Sequence, residues 1–121
     1  MIVFYFFKEK EFGQVLDVST GLPVSGAIVR IFNEDRQIDV AITDKQGRYS
    51  FILEPGNYYL KATANGYVFP SENTPNITKN KLGNKLLKFT TQDKQRVNIT
   101  VYMRKFATLN ANKQVILSPF N

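Results

Sequence analysis

Residues 43–60, TDKQGRYSFILEPGNYYL, leave little freedom in what this chain can fold into. Two alternating runs flank Glu54-Pro55-Gly56, and Asp44-Lys45-Gln46-Gly47 precedes them. In the first run Tyr49, Phe51 and Leu53 fall on one side, with Arg48 and Ser50 on the other. In the second, Tyr58, Leu60, Ala62 and Ala64 oppose Tyr59, Lys61 and Thr63. A period of two is that of a strand with one face on a core and one in water. The punctuation is turn chemistry: Asp44 caps with its side chain, and Gly47 closes with a left-handed backbone. Pro55, with its fixed φ, and Gly56, free to take a positive φ, predict a tight type II corner.

The same grammar extends along the chain. Ala27, Val29 and Ile31 share a face against Arg30, and Val97, Ile99, Val101 and Met103 align against Asn98, Thr100 and Tyr102. Thr20-Gly21-Leu22-Pro23 supplies a further turn, Gly21 for its backbone freedom and Pro23 because it cannot donate to a ladder. Seven strands are expected, over 14–17, 27–32, 38–43, 48–53, 57–64, 85–90 and 96–103. Short strands at this spacing indicate a sandwich or barrel, not a βαβ fold. The best helical stretch, 78–87, is broken by Gly83, and 65–84 reads as a long polar surface loop of the kind that often carries function. The division is an apolar N-terminal segment (1–12), a β domain (13–104) and a C-terminal extension (105–121), with KQVILS inside the last open to an eighth strand.

The order of motifs resembles the carboxypeptidase regulatory-like domains, a transthyretin-like family. A first strand G-x-V-x-D appears as Gly13, Val15 and Asp17, followed by T-G-x-P-V-x-G-A at Thr20, Gly21, Pro23, Val24, Gly26 and Ala27. T-D-x-x-G-x-Y-x-F follows at Thr43, Asp44, Gly47, Tyr49 and Phe51, then P-G-x-Y-x-L at Pro55, Gly56, Tyr58 and Leu60, and Gly66-Tyr67 closes the pattern. The resemblance covers residues 13 to about 71 and fades beyond. It implies an all-β, seven-stranded Greek-key sandwich, with extra strands open to the terminal segments. It further implies an accessory, spacer or interaction module without catalytic residues of its own, appended to peptidases, outer-membrane receptors or surface proteins.

Composition narrows the chemistry. The chain has no Cys and no His, which removes zinc–thiolate sites, disulfides, thiol nucleophiles and histidine-based acid–base catalysis together. The purine-catabolic hydrolases of this fold and the zinc carboxypeptidases both need histidines, so no catalytic, cofactor-binding or metal residue is assigned. An internal Lys–Asn isopeptide, as in the related pilus repeats, is disfavoured because Lys61 stands where the assisting acid would lie. The acidic residues Glu34, Asp35, Asp39 and Asp44 are too sparse for a calcium loop and fit turn chemistry better.

Charge is uneven, with six basic against eight acidic residues in the first 60 positions and ten against two in the rest. Lys79, Lys81, Lys85, Lys88, Arg104 and Lys105 are therefore the candidate interaction surface, suited to an anionic glycan or cell-envelope polymer. Lys94 and Arg96, with Tyr67, Phe69, Phe89 and Tyr102 interleaved, also raise nucleic acid, but alternation and the Gly-Tyr closure place most of those aromatics inward. Asn76-Ile77-Thr78 and Asn98-Ile99-Thr100 are glycan acceptors only in a secretory setting. MIVFYFF at the start is too short to cross a bilayer. It reads as a strand, a strand donated to a neighbour or the end of a membrane span. The expectation is a non-catalytic structural module at the cell surface, with protein partners or copies of itself.

Overall fold

The alternating runs form the strands their pattern requires. The computed structural model describes residues 11–106. Among them are β1 (Gly13–Asp17), β2 (Ile28–Asn33), β3 (Arg36–Ile42), β4 (Arg48–Tyr49), β5 (Ile52–Leu53) and β6 (Gly56–Thr63). Then come β7 (Tyr67–Val68), β8 (Ile77–Lys79), β9 (Lys85–Thr91), β10 (Gln95–Arg96) and β11 (Thr100–Lys105). They build a four-stranded sheet β4-β1-β11-β7, a five-stranded sheet β3-β2-β6-β9-β8 and a two-stranded patch β10-β5. The chain is all-β and sandwich-like. MIVFYFF and KQVILS lie outside the described residues.

The two main sheets close on one apolar core. Ala27, Val29 and Ile31 of the second strand region are fully buried, as are Val15, Leu60 and Met103, with Tyr49, Phe51, Leu53, Tyr58, Val97 and Val101 nearly so. Each large apolar side chain buried this way contributes about 1.5–3 kcal/mol. The inward faces expected from alternation are therefore the buried ones, although Ala64 and Ile99 only pack against the core's margin.

Two expected strands are each split in two. Residues 48–53 become β4 and β5, and 96–103 becomes β10 and β11. The cause is β1, which begins at Gly13 and wedges between them. Beside it β4 pairs antiparallel and β11 parallel. Where β1 is no longer between them, the two neighbours pair with each other through β5 and β10. At the changeover the Ile99 carbonyl accepts the Gln14 amide (3.3 Å) and the Tyr49 hydroxyl (2.7 Å). The Tyr49 ring occupies the space a side chain at position 13 would need, so only glycine fits there.

Three expectations are corrected. The 65–84 segment is not a free loop: β7 adds to the edge of the four-stranded sheet and β8 to the edge of the five-stranded one, so this stretch carries the chain between sheets. The helical candidate 78–87 is a hairpin instead. Asn80 closes it, its Oδ1 accepting the amides of Leu82 (2.9 Å) and Asn84 (3.0 Å), the local side-chain-to-backbone bonding that favours turns over helices. The Pro55-Gly56 corner is not type II. Gly56 has φ 159°, near-extended, and is the first residue of β6. The corner is instead pinned through the Glu54 carbonyl, which accepts the hydroxyls of Tyr58 and Thr91, each at 2.7 Å.

Candidate interaction surfaces

The motif residues form a set of locks at the chain's reversals. Asp17 is 2 % exposed. Its Oδ1 accepts the Ser19 hydroxyl (2.7 Å) and amide (2.8 Å) and the Thr20 amide (3.3 Å), while Oδ2 accepts the Tyr67 hydroxyl (3.0 Å). Those bonds, led by the Ser19 hydroxyl, hold its pKa down to about 2, because each favours the charged form. Burial, helped by the bond to Asp17, pushes the Tyr67 phenol upward. The aspartate of the first strand and the tyrosine of the Gly-Tyr closure, fifty residues apart, are thus one device.

Thr43 is the second lock. Its hydroxyl accepts the Ala27 amide (2.8 Å) and donates to the Val24 carbonyl (2.7 Å). Asp44 is the third, accepting the amides of Gln46 and Arg48 (2.9 Å each) and the Arg48 Nε (3.0 Å). The Arg48 amide leads in lowering its pKa. Gly47 follows at φ 73°, and a Cβ there would lie 2.6 Å from the Val15 carbonyl oxygen. Gly21, at φ 75°, donates to the Asp17 carbonyl (2.8 Å), and Pro23 bridges back to Leu16. Gly21, Pro23, Asp44 and Gly47 do the turn work expected of them, and Asp44's oxygens are occupied in doing it.

The basic candidates do not form one surface. Lys79 and Lys85 face each other across the β8–β9 pair, Lys81 sits in the turn between those strands, and Lys88 faces Tyr59. Arg104 and Lys105 lie in the other sheet, opposite Val68 and Tyr67. Like charges set directly opposite repel, and the Arg104 Nε is buried without a hydrogen-bond partner among the described residues. The interleaved aromatics divide as well. Tyr67, Phe69 and Phe89 pack against the core, whereas Tyr102 is 41 % exposed, on the outward side that the alternation of its strand gave it.

Two adjoining hollows of about 420 and 280 Å³ lie on the outer face of the five-stranded sheet. Phe32, Tyr59 and Leu86 line them, with Glu34 and Asp35 of the β2–β3 turn and Lys61, Lys79 and Lys81 also in their walls. A larger cleft, about 540 Å³, runs under residues 71–76 and is lined mainly by apolar groups such as Phe89, Ile99 and Tyr102.

The feature the sequence did not disclose is the outward apolar face of β3. It is an edge strand, with no described strand beyond it. Ile38, Val40 and Ile42 are 40, 47 and 67 % exposed. Near the turn the β2–β3 pairing runs Asn33↔Arg36 and Phe32↔Gln37; past a bulge between Ile31 and Phe32 it becomes Ile31↔Asp39, Arg30↔Val40 and Ile28↔Ile42. Continued unshifted, the first register would have set Ile38 and Val40 opposite Ile31 and Val29, facing the core. A shift of one residue exchanges the two faces of a strand. The bulge therefore turns three β-branched residues outward and gives Ala41 the inner position. The readable signal was limited to Arg30, whose outward position fixes the side of whatever pairs with it.

The described residues thus form an antiparallel-rich sandwich with locked turns and an apolar row on an edge strand. The chain belongs to the carboxypeptidase regulatory-like domain family, whose model matches residues 12–112. Domains of that family are non-catalytic. No curated protein matches the chain.

Proposed function

We propose that this chain is a protein-interaction module of a surface-exposed or membrane-linked assembly, docking through the free edge and outer face of its five-stranded sheet. The observation that carries this reading is the row Ile38, Val40 and Ile42, exposed on a strand whose outer edge meets no described strand. An unpaired strand offers a ladder of backbone donors and acceptors, and adding a strand there gives affinity through the main chain and selectivity through alternate side chains. The test replaces the three residues with Thr. The expected variant keeps its melting temperature within about 4 °C and loses concentration-dependent association in sedimentation. A variant that unfolds would return the row to the core and defeat the reading.

A second reading is a binder of anionic glycans. Lys61, Lys79 and Lys81 beside Tyr59 in the outer hollows favour it, and Glu34 and Asp35 in the same walls oppose a purely anionic ligand. Retention on a glycan array that disappears in Tyr59→Ala and persists in the Thr variant would select this reading over the first.

A further inference from the structure

The outer edge of β3 has a partner written into its own residues. We propose that two copies of this chain pair edge to edge along β3, antiparallel, about a twofold axis through Val40. This rests on the module reading and names its partner as a second copy.

Three observations carry it. The first is the direction of the backbone. The Thr43 amide donates inward to the Ala27 carbonyl (2.9 Å). Amides in a strand alternate sides, so Val40 and Ile42 turn theirs to the open edge. Among the described residues the Val40 amide is met by its neighbour's side chain, Asp39 Oδ1, at 2.8 Å.

The second is self-complementarity. In a twofold antiparallel pair centred on Val40, Ile38 of each copy faces Ile42 of the other. The same register brings Arg36 toward Asp44 and Asp35 toward Lys45, opposite charges at both ends; all four residues are exposed. Centring on Asp39 would set two carboxylates face to face, which is unfavourable.

The third is the bulge between Ile31 and Phe32, which holds outward a row whose other register faces the core. Edge strands are ordinarily blunted by charge. Here Asp39 supplies that blunting reversibly: its carboxylate occupies the Val40 amide in the single chain and must yield it to the Val40 carbonyl of the second copy on pairing.

The absence of Cys makes the test direct. In the full chain, V40C should oxidise to a covalent dimer, because facing residues in a hydrogen-bonded antiparallel pair have Cα atoms about 5.5 Å apart, within disulfide reach. I38C and I42C should each cross-link poorly alone and efficiently when mixed. L82C, 85 % exposed on the β8–β9 turn, serves as the collision control. D39A should tighten association about tenfold, since each of two symmetric amides is freed from a competing acceptor. V40K should abolish association with an unchanged melt. V40C that links no faster than L82C overturns the proposal. So does V40C that links only after residues 1–10 are removed, which would assign the edge to the chain's own N-terminal segment. Failure of V40C to cross-link, while the parent associates and the folded Thr variant does not, sinks pairing along β3 in this register alone, whereas an unfolded Thr variant sinks the module reading beneath it.

Discussion

Two aspartates on strands, Asp17 and Asp39, use the same chemistry to opposite ends. Both accept backbone amides. Asp17 is buried and gathers three donors from the following turn and one from Tyr67, fifty residues on. Asp39 is exposed and, among the described residues, takes the amide next to it. Around Asp17, Thr43 and Asp44 every reversal is cross-tied by a side chain, so that region is rigid and intolerant. Along β3 no described strand lies beyond the edge, and Ile38, Val40 and Ile42 are exposed there. A carboxylate bound to distant donors fixes a fold, and one bound to its neighbour shields an edge.

The locked region is most vulnerable at Gly47. Gly47→Val places a β-branched residue at φ 73°, with its Cβ 2.6 Å from the Val15 carbonyl oxygen; it should lose about 3 kcal/mol or more in urea unfolding. Near-native stability would show that the Asp44 turn is not rigid. Gly13→Ala comes next, because the new methyl enters the buried Tyr49 ring. Overpacking of that kind costs about 1–3 kcal/mol, to be read from the shift in denaturant midpoint.

The third effect is one of pH. Asp17, depressed from 3.8 to about 2 in the fold, binds a proton more readily when unfolded. Its stabilisation is complete above its ordinary value and fades as pH falls from 3.8 toward 2. Asp44 is lowered as well and acts in the same direction. Acid titration of Asp17→Asn followed by circular dichroism should therefore show a shallower loss of stability between pH 4 and 2 than the parent chain. An identical slope would mean that the Ser19 and Tyr67 contacts do not favour the charged carboxylate.

The smallest change belongs to the edge. Val40→Lys should alter unfolding free energy by about 0.5 kcal/mol or less, while removing association. If it instead destabilises as strongly as Gly13→Ala, β3 is not an edge in solution and the contrast between the two regions collapses.

Much of the locked region was legible in the sequence. Period-two alternation identified the inward faces of β2, β4, β5, β6 and β11, and Gly21, Asp44 and Gly47 announced reversals through backbone chemistry that acts within four residues. Partnerships across the chain were not legible. Nothing local says that Tyr67 answers Asp17, or that Tyr58 and Thr91 meet on the Glu54 carbonyl in place of a type II turn. The division of 48–53 and 96–103 was hidden for the same reason, since it depends on where β1 starts between its neighbours. The basic residues of the second half looked like one surface only because they are close in sequence, and the two sheets separate them.

The sequence by itself determined that this chain is all-β, where it turns and which side chains of most strands go inside, because each of those follows from alternation and from single-residue backbone preferences; the choice of a sandwich over a barrel came from the resemblance of its motifs. Only the tertiary structure decided what the outside offers. Ile38, Val40 and Ile42 suit a core as well as an edge, and one bulged residue in β2–β3 pairing settles which. Register belongs to a pair of strands and not to either one, so it is fixed only when they meet.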